Sequence, residues 1–356
     1  MLQTADRARH RAPYTLVVLQ LVQDLDVILP VLQELTQRGT SVRVIVTKEL
    51  VEKSRRVQTL LDSTGIRFEM VSRARLLGGK IPFWGNVRQL VTATESTASP
   101  HKLTHALTLQ ARKRGIPSYT FQHGFENAGL TYFDTQFSPS SIGFGSEHIF
   151  IWGEPDSLDS RVPEQIRRRC IPIGRPLAQR QPIRPEALQS AQTKVGIFEN
   201  LHWERYSTEY RRSFLRDLRL TIAGFPDCLF VIKPHHAGMW FTKENREFAF
   251  KNLLVVDPKD PEWEPYTAPD LIPNFDAVIT TPSTVALDSA SMGVRTAVAA
   301  YDLDLHKYSP LPLLRNAGDW LCFIKNSNSP AVEQTFVSRW VRTGNAAERA
   351  ARELCS

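Results

Sequence analysis

The sequence predicts an α/β protein built from two Rossmann-like domains, and three observations carry that prediction. Short β-rich apolar runs alternate with segments of helical periodicity along the whole chain. A stretch rich in proline, glutamine and arginine, Arg175 to Gln192, interrupts the series near its middle. A length of 356 residues suits two domains of about 150–180 residues each. The expected domains are residues 1–178 and 194–356.

The elements follow in order. Tyr14 to Leu21 is a first apolar strand, and Asp24 to Gly39 has helical spacing that ends on a glycine. Ser41 to Thr47 is a second strand, leading into one long helix, Lys48 to Thr64. Ile66 to Val71 and Arg88 to Ala93 are further strands, and Lys102 to Arg114 is a helix stopped by Gly115. Ile116 to Phe121 and His148 to Trp152 complete the first series. Beyond the linker, strands are expected at Lys194–Glu199, Cys228–Lys233, Leu253–Asp257, Asp276–Thr280 and Arg295–Ala300. Helices are expected at Glu209–Gly224, Thr284–Met292, Ala331–Thr343 and Asn345–Leu354. Strands separated by helices of this length are βαβ units and form parallel sheets.

Composition narrows the function. No apolar run approaches the roughly 20 residues that cross a bilayer. Met1 to Pro13 is polar and basic, without the apolar centre of a secretory signal, so a cytoplasmic protein is expected. Cys170, Cys228, Cys322 and Cys355 are scattered and form no CxxC pair, which argues against a disulfide framework or a zinc site. Residues 1–180 hold 24 Lys/Arg against 16 Asp/Glu, a net +8, while residues 181–356 hold 20 against 21, a net −1. The basic half is either a solvated surface or a peripheral contact with an anionic membrane at its inner face. Nucleic acid is not expected, because no helix-turn-helix, zinc-finger or aromatic-basic signature accompanies the dispersed charge. GxGxxG, Walker and Gly-x-Ser-x-Gly motifs are missing, which argues against a dehydrogenase, a P-loop NTPase and an α/β-hydrolase.

In open α/β sheets ligands bind beyond the carboxyl ends of the strands, and three polar segments sit there. The first is Gln122-His123-Gly124-Phe125-Glu126-Asn127-Ala128-Gly129. Gly124 permits close backbone approach or a positive φ, His123 can hydrogen-bond a substrate or move a proton, and Glu126 can accept a proton from a hydroxyl. Asp134 and Glu199 also follow expected strands and are alternative bases. The second segment is Lys233-Pro234-His235-His236, where a cation and imidazoles can stabilise a phosphate leaving group. Neighbouring histidines on an extended strand point to opposite sides, so a shared metal ion is not expected. The third is Thr280-Thr281-Pro282-Ser283-Thr284, whose hydroxyls either hold an anion or merely cap the next helix, with Asp288 one turn further on within reach of a ribose.

The Lys-Pro-His triplet and the Thr-Pro-Ser-Thr…Asp segment resemble the donor domain of bacterial capsule and cell-envelope transferases. These are the CDP-glycerol glycerophosphotransferases, the sialyl- and polysialyltransferases and the Kdo transferases. Residues 122–124 with Phe150-Ile151-Trp152-Gly153 are similar to the Gln-His-Gly…Trp-Gly pattern of polysaccharide-export transferases. The likeness implies a GT-B fold, two Rossmann-like domains facing across a cleft, with the donor nucleotide on the C-terminal one. It implies transfer of a sugar or glycerol phosphate from a nucleotide-activated donor to a hydroxyl of a glycan or lipid-linked acceptor. Lys233, His235, His236, Ser283, Thr284 and Asp288 would hold the donor, and Glu126 and His123 would act on the acceptor side. No cofactor and no metal are expected. Two other readings stay open: a nucleotide-sugar epimerase or hydrolase on the same fold, and a catalytically idle binding protein.

Overall fold

The computed structural model describes residues 12–356 apart from 80, 82–83, 178–184, 190–191, 245–247, 258–259 and 327–330. The polar start and much of the expected linker therefore lie outside the described residues. The chain divides into two compact units, Met1–Gln179 together with Trp340–Ser356, and Arg180–Arg339.

The first unit runs β1 (Tyr14–Leu19), α1 (Asp24–Gln37), β2 (Val42–Thr47), α2 (Lys48–Lys53), α3 (Arg55–Ser63), β3 (Phe68–Val71), α4 (Arg73–Leu77), β4 (Val87–Thr92), α5 (Lys102–Arg112), β5 (Ser118–Phe121), β6 (His148–Ile151), α6 (Glu164–Arg167) and β7 (Cys170–Pro172). Its seven strands lie in the order β3-β2-β1-β4-β5-β6-β7, and every neighbouring pair is parallel. Alternation along β1 explains why both faces must be covered. Val17 and Leu19 join Leu25, Ile28 and Leu32 of α1 on one side. Leu16 and Val18 join Leu103 and Leu107 of α5 on the other.

The expected long helix after β2 is two helices. Ser54 between them is extended (φ −140°, ψ 112°), and the break lets Val57 and Leu61, one turn apart, reach the core. Arg56 is buried beside them and bonds Asp26 at 2.8 Å.

The second unit runs β8 (Lys194–Glu199), α7 (Thr208–Gly224), β9 (Leu229–Pro234), α8 (Trp240–Glu244), β10 (Leu253–Val255), α9 (Ala268–Leu271), β11 (Ala277–Thr280), α10 (Val285–Ser291), β12 (Arg295–Ala299), β13 (Leu313–Leu314), α11 (Ala317–Lys325) and most of α12 (Ala331–Trp340). Its six parallel strands are ordered β10-β9-β8-β11-β12-β13. Val195 and Ile197 pack on Tyr210, Phe214 and Leu218 of α7. Gly196, between them, has no room for a side chain, because a Cβ there would stand 2.5 Å from the Phe275 ring.

The last helix, α13 (Ala346–Cys355), corrects the expected domain boundary. Its small face, Ala347, Ala350, Ala351 and Leu354, joins α1 in the core of the first unit. Gln89 Nε2 donates to the Leu354 carbonyl at 2.7 Å, and Arg349 Nε to that of Ile173 at 2.6 Å. Residues 340–356 therefore complete the first unit, not the second.

Candidate functional site

In each unit the strand order reverses beside the first strand, and that reversal is where an open parallel sheet offers a crevice beyond its carboxyl ends. In the second unit the reversal lies between β8 and β11. Asn200 fastens the two loops there. Its amide donates to the Pro282 carbonyl at 3.1 Å, its Oδ1 accepts from Thr281 Oγ1 at 2.6 Å, and Tyr206 OH bonds the same Oδ1. Ser283 Oγ lies 3.0 Å from Thr280 Oγ1 and accepts from Val285 N at 3.2 Å. Ser283 thus satisfies one backbone N–H at the start of α10, whose N-cap Thr284 makes no side-chain capping bond. Ser283 and Thr284 remain partly exposed, and Asp288 is buried on α10.

The end of β9 lies beside β8, with Lys233 in register with Phe198. Past Pro234 the chain turns instead of staying extended, so the expectation that His235 and His236 point apart does not hold. Their rings stack at 4.5 Å and 26°. His202, from the β8 loop, also stacks on His235 at 4.8 Å and 25°, and the Trp203 ring lies 5.1 Å from that of His202. Gly238 makes the stack possible, because a Cβ there would fall 2.1 Å from the His202 ring. Burial, then the neighbouring His236, His202 and Lys233, push the His235 imidazole down to about 3. Burial also lowers His202. At neutral pH the two rings are uncharged hydrogen-bonding groups, and the basic side chains that act on them are Lys233 at His235 and Lys243 and Arg211 at His202. Among the described residues no group of three or more His, Cys, Asp and Glu is placed to hold a metal ion.

Glu199, one alternative base, is committed to structure. It is buried, accepts from Leu201 N at 2.7 Å and from Phe241 N at 3.1 Å, and desolvation pushes its carboxyl up to about 7.

In the first unit the reversal lies between β1 and β4. Asp24 bridges the two strand ends, accepting from Gln20 N at 2.8 Å, Leu21 N at 2.9 Å and Thr94 Oγ1 at 3.0 Å. Burial pushes its carboxyl up to about 6 despite those bonds. Beyond β4, Ser96 Oγ stands 2.8 Å from His101 Nδ1, and the His101 ring meets that of His123 edge-on at 4.9 Å. Burial lowers both imidazoles, His101 to about 4 and His123 to about 3, and each also senses a neighbour: Glu95 opposes the shift at His101, while His101 deepens it at His123.

The loop after β5 is internally tied. Asn127 Oδ1 accepts from His123 N at 3.0 Å, and Thr131 Oγ1 accepts from Asn127 N at 3.0 Å and donates to the Phe125 carbonyl at 2.6 Å. The glycine of this loop in left-handed conformation is Gly129 (φ 85°). Gly124 is buried, and its carbonyl accepts from Gln122 Nε2 at 3.2 Å. Glu126 is partly exposed in the turn. Asp134, the other alternative base, shapes its own turn by accepting from Gln136 N at 2.9 Å, Phe137 N at 2.7 Å and Tyr132 OH.

His101, Ser96, Asp24, His202 and Asn200 were not singled out from the sequence. Ser96, Asp24, His202 and Asn200 each follow a strand within a few residues, the same positional signal that flagged His123, whereas His101 lies beyond the β4 loop at the start of α5 and carries no such mark.

No protein-family model matches the chain, and no curated protein matches it. Solved structures do, over nearly the whole length. S. aureus MnaA in a co-structure with UDP is 10% identical, with TM-score 0.65 and 96% of each chain covered. The UDP-GlcNAc 2-epimerase of Methanocaldococcus jannaschii, in complex with UDP-GlcNAc and UDP, is 12% identical, with TM-score 0.64, covering 96% of this chain and 99% of that one. The glycotransferase of kitacinnamycin is 14% identical, with TM-score 0.59, covering 97% and 98%. At such identities the likeness defines the fold. The chain has the α/β architecture of two Rossmann-like units that characterises GT-B proteins.

Proposed function

We propose that this chain is a nucleotide-sugar enzyme that binds a UDP-linked N-acetylhexosamine on its Arg180–Arg339 unit and inverts the sugar at C2. The whole-length likeness to UDP-GlcNAc 2-epimerases is the observation that carries this reading. The site chemistry supports it. Lys233 and the stacked His235 and His202 surround the position expected for a diphosphate, at the end of β9 and β8. Inversion breaks the C2–H bond and the C1–O bond to the diphosphate and re-forms both, the proton returning to the opposite face of C2. Negative charge on the diphosphate while that bond is open is met by Lys233 and by imidazole N–H donors. Asp288 on α10 is assigned to the ribose.

Proton transfer is assigned to Glu126, with His123 as hydrogen-bonding partner. An imidazole pushed down to about 3 is a poor proton acceptor at neutral pH, since each pKa unit of depression costs about 1.4 kcal/mol of proton affinity. Glu126 carries the assignment by position, partly exposed in the loop after β5.

A second reading is transfer of the sugar to a hydroxyl of a glycan or lipid-linked acceptor. The Gln-His-Gly and Lys-Pro-His segments favour it, and so does the likeness to the glycotransferase of kitacinnamycin. Incubation with UDP-GlcNAc alone, followed by proton NMR, tests the two. Appearance of the C2 epimer without any acceptor supports epimerisation. Unchanged UDP-GlcNAc that is consumed only when a hydroxyl acceptor is added supports transfer. Neither reaction, with UDP bound, leaves the binding protein.

A further inference from the structure

The excess positive charge of the first unit has an address. Between Glu69 and Glu126 the sequence carries Arg73, Arg75, Lys80, Arg88, Lys102, Arg112, Lys113 and Arg114, against a single carboxylate, Glu95. Glu95 is buried. Its oxygens accept from Gly145 N at 2.9 Å, Ser146 N at 3.2 Å and Ser146 Oγ at 2.8 Å, and one also bonds His105 Nδ1. No carboxylate of this stretch reaches the surface, whereas Arg75, Arg88, Lys102, Arg112, Lys113 and Arg114 are all exposed.

The same stretch leaves large apolar side chains in water. Met70 is 61% exposed, Leu77 51% and Leu109 39%. Leu77 and the end of α5 share one surface, because Gln110 Nε2 donates to the Leu77 carbonyl at 3.4 Å. Arg114 lies over the Trp84 ring at 4.9 Å, and Trp84 Nε1 donates to the Gly79 carbonyl at 3.1 Å. Trp84, Arg88, Arg114 and Ile116 line a shallow depression of about 480 Å³. Carboxylates bound the face on two sides. Glu147 and Glu353 lie with Arg88 around Tyr119, and Glu49 accepts from Arg73 N.

We propose that the face formed by α4, the Trp84 turn and the end of α5 docks on an anionic lipid bilayer. A phosphate-rich surface meets the exposed guanidinium and ammonium groups. The apolar layer just beneath it takes up Leu77 and Leu109, and an indole belongs at that boundary. Nucleic acid would satisfy the charges yet leave both leucines in water, so the bilayer is the better match. The contact is peripheral: among the described residues no helix is long and apolar enough to cross a membrane.

Flotation of the full chain with vesicles tests this independently of any sugar chemistry. The protein should float with vesicles containing phosphatidylglycerol and stay behind with pure phosphatidylcholine, and high salt should release it, since exposed charges are screened beyond about 10 Å at 0.1 M. Arg112→Glu with Lys113→Glu and Arg114→Glu should abolish flotation. Leu77→Ser with Leu109→Ser should cut it by about tenfold, and Arg212→Glu in the other unit should leave it unchanged. Unaltered melting of each variant excludes misfolding. Equal flotation with both lipids, or flotation indifferent to the triple reversal, overturns the proposal. So does binding to duplex DNA that competes with vesicles while the leucine pair has no effect.

Discussion

The imidazole of His101 meets that of His123 edge-on, with ring centres 4.9 Å apart and planes at 87°. Two imidazoles this close cannot both carry charge cheaply, and both are already depressed by burial. Their titration is therefore a direct report on the first unit's strand-end loops. In a histidine-labelled NMR titration neither ring should protonate above pH 5. Ser96→Ala removes the hydroxyl at His101 Nδ1 and should change the tautomer of His101 without moving the rest of the spectrum. A ring pair titrating near 6.5 would show that the loops are open to water.

The same shifts make stability depend on pH. In the unfolded chain His101, His123 and His235 take up protons near 6.5, while their folded values lie at about 4, 3 and 3. Between those values the unfolded state binds more protons, so these groups lower stability as pH falls from about 6.5 toward 4. Asp24 and Glu199 act oppositely, since their folded values are raised to about 6 and about 7. Their contribution is present at low pH and is lost as pH rises through the folded values. Urea unfolding of His123→Asn should show a shallower acid decline than the parent. Glu199→Gln should be less harmful at pH 8 than at pH 4.5, although its amide faces two N–H donors at either pH.

Lys233→Ala should weaken UDP binding by about tenfold to a hundredfold, the range expected for losing a charge-assisted hydrogen bond. Its melting should change little, because the side chain is only partly buried at the end of β9. Calorimetric titration with UDP is the measurement. Parent-like affinity would remove the β9 end from the site.

A diphosphate beside His235 should pull a proton onto the ring. UDP affinity should therefore rise as pH falls from 7 to 5.5, with proton uptake visible as a dependence of the binding heat on the buffer. Gly238→Ala should weaken UDP binding as well, because the added methyl would displace His202 from the stack. Pairing His235→Gln with Gly238→Ala shows whether the two act through one arrangement, since coupled losses would not add.

Glu126→Gln should lower turnover by about 10²–10⁴-fold and leave UDP binding unchanged. Loss of UDP affinity instead would place this loop on the nucleotide.

The alternation of strands and helices was legible because parallel strands buried on both faces read as short apolar runs, and β8 falls at its expected limits, Lys194–Glu199. What escaped has local causes. α11 is short, yet Asn316 Oδ1 caps Asp319 N at 3.1 Å, and Trp320, Phe323 and Ile324 repeat at helical spacing, so its signal was present. The split at Ser54 had no comparable mark, because exposed polar residues, Glu52 and Lys53 before it and Arg55 and Gln58 after it, read as helix on either side. For the sites, strand ends pointed to Lys233, His123 and Ser283. The His202–His235 stack could not be foreseen, since it depends on a turn after Pro234 and on the space left by Gly238. Trp152 N donates to Gln122 Oε1 at 3.0 Å, so the two halves of the Gln-His-Gly…Trp-Gly pattern meet across adjacent strands β5 and β6.

The return of α13 to the first unit sets an order of events at the ribosome. Leu25, Ile28 and Leu32 of α1 emerge early but share their core with Ala347, Ala350 and Leu354, which are translated only after the whole of Arg180–Arg339. At about 5–20 residues per second, the nascent first unit waits many seconds with part of this apolar face uncovered. The second unit, whose sequence is uninterrupted, has no such delay. Chaperone engagement during synthesis should therefore concentrate on the early-made α1 face and end when the closing helix clears the exit tunnel.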